Sequence, residues 1–138
     1  MSVKLEDFSV QVIGAIEDAA IAYLYEAAGE MEAQAKRNTR RGDTGQTTNS
    51  WSYKVDEGKL EAKVGNPLEN AIWEEFGTGE FALHGDGRKG GWTYRDEKNQ
   101  WHHTFGKTPN RALHNAFVTL KNPLVRRCQQ IFKERMKE

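Results

Sequence analysis

The first quarter of the chain carries one apolar stripe with the period of an α-helix. This spacing predicts a helix over residues 8–35, with its apolar side at Val12, Ile13, Ile16, Ala20, Tyr23, Leu24, Ala27, Met31 and Ala35. The many alanines favour helix intrinsically. At ~1.5 Å per residue the helix would be on the order of 40 Å long, which is longer than a small core needs. We therefore expect part of the stripe to contact another chain.

The pattern then changes from helical to alternating. Residues 37–49 contain no large apolar side chain, which predicts a loop. Beyond them, apolar and polar residues alternate on both sides of a turn at residues 56–59, with the apolar ones at Trp51, Tyr53, Val55, Leu60, Ala62 and Val64. Residues 51–64 are therefore predicted to form a β-hairpin with one buried face.

A short helix is predicted after this hairpin. Asn66 can cap it and Pro67 suits its first helical position. Gly77 predicts its end, because glycine tolerates the left-handed backbone found there. Trp73 and Phe76 are expected to anchor the helix on the sheet.

A Gly-rich loop at residues 81–91 precedes a second predicted hairpin. The aromatic segments 92–94 and 101–103 flank a polar turn at residues 96–99.

Thr108 and Pro109 predict the start of the last helix. Pro123, which follows Asn122, is expected to kink or split it. The apolar stripe of this helix is Leu113, Ala116, Phe117, Leu120, Leu124, Cys128, Ile131 and Phe132. The element order predicts one α+β domain over residues 1–138, with a long N-terminal helix, an antiparallel sheet built from two hairpins, a short central helix and a C-terminal helix.

Composition and charge narrow the functional classes. A hydrophobic fraction of 37% predicts a thin core, and one cysteine allows no internal disulfide. No apolar run approaches the ~20 residues of a membrane span, and no signal pattern opens the chain. The formal net charge is zero, which argues against a dedicated nucleic-acid binder.

The charges are nevertheless unevenly distributed. Residues 1–32 carry seven acidic residues against one lysine, whereas residues 121–138 carry six basic against two acidic residues. Either the two terminal helices pair within one chain, or the acidic face of one copy meets the basic face of the next.

Candidate catalytic and metal-binding patterns are weak. Asp43-Thr44-Gly45 spells the aspartic-protease triplet, but its polar surroundings favour a local turn. Adjacent His102 and His103 in a strand point to opposite faces and cannot easily share a metal ion. Glu74 and Glu75 are helix neighbours and do not face each other. The sequence predicts no catalytic residues, no metal and no cofactor.

Basic and Gly-rich loops are the remaining polar features. A basic cluster is formed by Lys36, Arg37, Arg40 and Arg41. It could bind DNA phosphates, with stacking from the hairpin aromatics Trp92, Tyr94 and Trp101, which defines the alternative function of a small nucleic-acid-binding module. Simple solvation, or docking on an acidic helix of a neighbouring subunit, is favoured over DNA binding as the role of this cluster.

The layout as a whole resembles a family of small proteins from the neck of long-tailed phages, known as tail components or neck and tail-completion proteins. The resemblance is carried by Asp43-Thr44-Gly45 before Asn49-Ser50-Trp51, by Glu75-Phe76-Gly77-Thr78-Gly79, by Trp92-Thr93-Tyr94 with Thr104-Phe105-Gly106, and by Pro109. It covers roughly residues 8–135. The family usually has Pro-Phe at the start of the last helix, whereas Asn110 follows Pro109 here.

The resemblance implies a non-enzymatic structural protein of the virion, assembled in the host cytoplasm. Such proteins are expected to form a ring, a hexamer or a dodecamer, at the head–tail junction between the head connector and the tail terminator or tail tube. DNA would pass nearby without specific binding, and no membrane is involved. The residues expected to contact neighbouring subunits or partners are Arg37, Arg40, Arg41, Asp43, Glu74, Glu75, Thr78, Arg88 and Lys89.

Overall fold

A computed structural model of the chain describes residues 9–40 and 45–136. The elements are α1 (Ser9–Asn38), α2 (Gln46–Asn49), β1 (Ser52–Asp56), β2 (Glu61–Gly65), α3 (Glu69–Phe76), a 3-10 turn (Gly79–Phe81), β3 (Trp92–Arg95), β4 (Trp101–Thr104) and α4 (Ala112–Arg135). This order confirms the predicted α+β class, with its long first helix, two hairpins, short central helix and C-terminal helix.

The helix α1 extends three residues beyond its predicted end. Its last turn carries Lys36 and Arg37, whose positive charges complement the negative end of the helix dipole. The Arg37 guanidinium also donates to Gln34 Oε1 at 2.7 Å. These polar contacts prolong the helix where the apolar stripe has stopped.

The first hairpin packs against α1. Its antiparallel register pairs Tyr53 with Val64, and a turn stabilised by the Asp56 carboxylate joins the strands. Tyr25 of α1 donates its hydroxyl to Glu57 Oε1 at 3.2 Å. The negative charge of Glu57 and this hydrogen bond raise the pKa of the Tyr25 phenol.

The two hairpins form separate sheets. β1 pairs only with β2, and β3 pairs only with β4, within the described ranges. The expectation of one sheet built from both hairpins is therefore wrong. The short strands complete their ladders locally, and the second hairpin joins the rest of the fold through its flanking loops.

The core lies where α1, the first hairpin and α4 meet. Four buried residues form it: Ala35, Trp51, Ala112 and Ala116. The Trp51 indole N–H donates to Thr39 Oγ1 at 2.7 Å, so its polar edge is satisfied inside the core. Alanines let the two helices approach closely, which gives the thin core that the composition predicts.

The helix α4 was expected to be kinked or split near Pro123; it is continuous through this residue and therefore not split. Proline frees the carbonyl four residues earlier, at Thr119. Both residues are exposed, and water can bond this carbonyl. An exposed proline therefore costs the helix less than a buried one would.

Two predicted helix starts are wrong. Asn66 does not cap α3 but accepts a hydrogen bond from the Leu68 amide at 3.0 Å, and the helix begins at Glu69. Likewise α4 begins at Ala112, preceded by Arg111 with a positive φ of 57°. In addition, α2 lies in the segment predicted as a loop, because four polar residues without periodicity give no helical signal.

Candidate functional site

The predicted interface residues of α3 lie in a polar junction that links α1, α3 and the start of α4. The Glu74 carboxylate forms ion pairs with the Arg40 guanidinium, at 3.2 Å, and with the Lys107 ammonium. Its carboxylate is only 13% exposed. Two basic side chains of the same chain therefore neutralise Glu74.

Glu75 has different partners from Glu74, because neighbouring residues of a helix point in different directions. Its Oε1 accepts the Leu113 amide at 2.8 Å, and its Oε2 accepts the His114 amide at 3.3 Å. Arg111 lies 3.6 Å from the same carboxylate. Glu75 thus caps the N-terminus of α4 from another helix, where a negative charge complements the helix dipole.

Asn110 and Asn38 complete the junction through backbone contacts. The Asn110 side chain accepts the Arg40 amide at 2.9 Å and donates to the Asn38 carbonyl at 3.1 Å. Asn38 donates in turn to the Ala112 carbonyl at 3.2 Å. Asn110, which follows Pro109, therefore ties the end of α1 to the start of α4. No local sequence pattern predicts this role of Asn110, because its partners, Arg40 and Asn38, are about 70 residues away.

Thr78 and its flanking glycines fasten the loop after α3. The Thr78 amide donates to the Lys107 carbonyl at 2.9 Å, and Thr78 Oγ1 accepts the Lys107 amide at 2.9 Å. Gly77 and Gly79 have φ values of 76° and 61°. A Cβ on Gly79 would lie 2.2 Å from the Phe105 carbonyl oxygen. The Gly-Thr-Gly motif is thus required by the close approach of two chain segments.

The remaining predicted interface residues are dispersed. Arg37 is exposed and bonded within α1, Arg88 lies 5.7 Å from the Trp92 ring centre, and Lys89 is exposed. Arg41 and Asp43 lie outside the described residues, as does most of the Asp43-Thr44-Gly45 triplet. The structure therefore brings together Arg40, Glu74, Glu75 and Thr78, while their role toward neighbouring subunits stays a prediction.

Large apolar side chains are exposed on three helices. The predicted anchors of α3, Trp73 and Phe76, are 47% and 41% exposed, so the expectation that they fix the helix on the sheet is wrong. Sequence periodicity identified the apolar side of α3, but no element of the described chain covers it fully. Similar surfaces occur at the start of α1 (Val10, Val12, Ile13 and Ile16) and on α4 (Phe117, Val118 and Val125).

Two features are absent from the described residues. Among them, no group of three or more His, Cys, Asp or Glu side chains is arranged to hold a metal ion. Over the same ranges, no helix has the length and apolar character needed to cross a membrane.

A family model matches residues 4–77, more than half of the chain, and confirms the resemblance over these residues. Its description reads "Bacteriophage HK97-gp10, putative tail-component". The match includes the whole of α1, the first hairpin and α3. No curated protein and no solved structure matches the chain. The chain therefore belongs to the HK97-gp10-like family of phage tail components.

Proposed function

We propose that this phage structural protein is a non-enzymatic ring subunit at the head–tail junction of a tailed phage. It assembles with copies of itself, as a hexamer or a dodecamer, between the head connector and the tail terminator or tail-tube proteins. Membership of a tail-component family supports the structural role. The ring and its place in the neck are the proposal.

The observation that carries this proposal is the exposed apolar surface. Val10, Ile72 and Val118 are 78%, 60% and 61% exposed, and they lie on three different helices. Apolar surface on several helices is typical of a subunit that buries it against neighbours.

The alternative of a nucleic-acid-binding module has less support. Within the basic cluster, Lys36 pairs with Glu32 at 2.9 Å and Arg40 pairs with Glu74. The Trp101 ring lies under the Arg95 guanidinium, 4.6 Å from the ring centre. Two of the charges and one of the ring faces that phosphates and bases would need are therefore already paired within the chain.

Two measurements test the proposal. Native mass spectrometry across protein concentration should give a closed multimer of defined subunit number. Electron microscopy of phage particles that carry an affinity-labelled copy should place the label at the head–tail junction. A chain that stays monomeric in every condition, or a label distributed along the tail, would contradict the proposal. Salt-sensitive binding of DNA by the isolated chain would favour the alternative.

A further inference from the structure

We propose that neighbouring subunits are joined by the start of α1 of one copy, which docks on the outer face of α4 of the next copy. This inference rests on the proposed ring and names the two surfaces that would form its contact. The first surface is the α1 overhang, residues 9–17. The second is the outer stripe of α4, formed by Phe117, Val118, Lys121 and Val125.

The α1 overhang exists because the two long helices differ in extent. They run antiparallel, since Ala35 near the end of α1 packs on Ala112 at the start of α4, and Glu26 pairs with Arg127 at 2.9 Å. Arg135, at the end of α4, is eight residues beyond Arg127. Because the helices are antiparallel, it lies level with the position eight residues before Glu26, which is about residue 18 of α1. About nine residues of α1, or roughly 13 Å at 1.5 Å per residue, therefore extend beyond α4.

The apolar stripe of α1 continues into this overhang. Val12, Ile13 and Ile16 keep the helical spacing of the residues that face α4 further along, yet they are 44%, 56% and 41% exposed. Ala19, level with the last turn of α4, is fully buried. The stripe thus loses its cover where α4 ends, which identifies residues 9–17 as a docking helix that lacks its partner helix.

The negative charge of the α1 overhang limits which surfaces can bind it. Between Ser9 and Ala35 every charged residue is acidic; Glu17 is the last residue of the overhang, and Asp18 directly follows it. Two overhangs paired with each other would bring these carboxylates together, which like charges disfavour. The occupant must therefore present apolar side chains and positive charge.

The outer stripe of α4 provides both. Phe117, Lys121 and Val125 are four residues apart and Val118 is seven before Val125, so all four lie on one helix face. Phe117, Val118 and Val125 are 52%, 61% and 52% exposed. The Lys121 ammonium lies 5.9 Å from the centre of the Phe117 ring. This face lies beside the one that carries the buried Ala116 and Leu120, and its three apolar side chains remain exposed in the single chain.

The dimensions of the two surfaces agree. The nine residues from Phe117 to Val125 span roughly 12 Å, close to the length of the overhang. α4 carries five basic residues and one acidic residue, Glu134, which complements the acidic overhang. Because the two surfaces are different, each copy offers one of each, and the contact is head-to-tail. Repetition of such a contact closes into a ring when the rotation between copies allows it.

The direct test is disulfide cross-linking in a Cys128→Ser background, which removes the native thiol. Chains with Ile13→Cys are mixed with chains carrying Val118→Cys, and chains with Ile72→Cys serve as the matched control on the exposed face of α3. Oxidation should join Ile13→Cys to Val118→Cys chains. Disulfides between two Ile13→Cys chains, or preferential joining to Ile72→Cys chains, would overturn the proposed contact.

A second test separates this contact from the ring itself. Ile13→Asp places a charge in the overhang, and Gln11→Asp places the same charge on the opposite, exposed side of α1. Ile13→Asp should weaken assembly by about tenfold or more, as loss of a central contact does, while Gln11→Asp should assemble like the wild type. Circular dichroism confirms that both variants fold.

The outcomes of the second test are distinct. A ring that persists with Ile13→Asp overturns the contact proposed here and leaves the proposed function standing. A wild-type chain that forms no multimer overturns both. The Lys121→Glu exchange should weaken assembly, and combining it with Glu17→Lys should restore it if the two residues meet across the contact.

Discussion

Replacement of Glu75 by alanine should destabilise the fold through the start of α4. The carboxylate is 12% exposed, accepts the Leu113 amide at 2.8 Å and the His114 amide at 3.3 Å, and lies 3.6 Å from Arg111. Loss of a helix cap costs about 1 kcal/mol, and a hydrogen bond to a charged acceptor contributes about 1.5–3 kcal/mol. The longer second bond and the ion pair add little. We expect Glu75→Ala to lower the free energy of unfolding by about 2 kcal/mol.

A second substitution separates charge from hydrogen bonding. Glu75→Gln keeps one acceptor oxygen for the Leu113 amide but removes the negative charge at the N-terminus of α4. It should therefore cost about half as much as the alanine variant, roughly 1 kcal/mol. Glu97→Ala, in the exposed turn of the second hairpin, is the control and should change the free energy of unfolding by less than about 0.5 kcal/mol.

The assay is urea denaturation followed by circular dichroism at 222 nm, at one protein concentration for all variants, because assembly would add a concentration-dependent stabilisation. A common slope should fit all the curves, since the substitutions leave the buried area nearly unchanged. A loss below about 0.5 kcal/mol for Glu75→Ala would refute the capping role. An equal loss for the alanine and glutamine variants would show that charge alone stabilises the helix end.

Two further predictions concern the exposed aromatic and the second hairpin. Trp73→Ala should lower the free energy of unfolding of the monomer by about 1–2 kcal/mol, less than the ~3–5 kcal/mol of a buried ring, because Trp73 is 47% exposed; urea denaturation measures it, and a loss of 3 kcal/mol or more would contradict the exposed position. The second of these predictions concerns the Asp96 carboxyl. A hydrogen bond from the Gln100 amide, which has the largest effect, and one from His102 lower its pKa. Because the pKa of Asp96 is lower in the folded than in the unfolded state, its charged carboxylate stabilises the fold fully above the unfolded pKa of ~3.9. This contribution is lost as the pH falls through the folded pKa. An NMR titration in which Asp96 has an unshifted pKa would refute this.

Periodicity predicted the helices and strands because each depends on neighbouring residues. The helix expected over residues 8–35 occurs as Ser9–Asn38, and the hairpin expected over residues 51–64 occurs as β1 and β2. Helix starts were less predictable. At α4 the start is set by Glu75 from another helix, and no local pattern records such a long-range cap.

The polar junction was not predicted, for the same reason. Glu74 and Glu75 were predicted to contact a neighbouring subunit, and that stays a prediction. Their partners within the chain, Arg40, Lys107 and Arg111, come together only through the packing of α1 and α4. A single sequence gives the charges of these residues without their distances. The junction therefore required the tertiary structure, although every member is an ordinary surface residue type.

Two tryptophans show what an apolar pattern does and does not determine. Both Trp51 and Trp73 stand at positions where the pattern predicts burial. Trp51 is 7% exposed, since Thr39 accepts its indole N–H and α4 covers its ring face in the core. Trp73 is 47% exposed, although its helix has the same kind of apolar side. A pattern specifies that a face requires cover, but not which chain provides it. In the ring proposed above, the apolar positions that stay uncovered in the single chain are those that a neighbouring copy would bury.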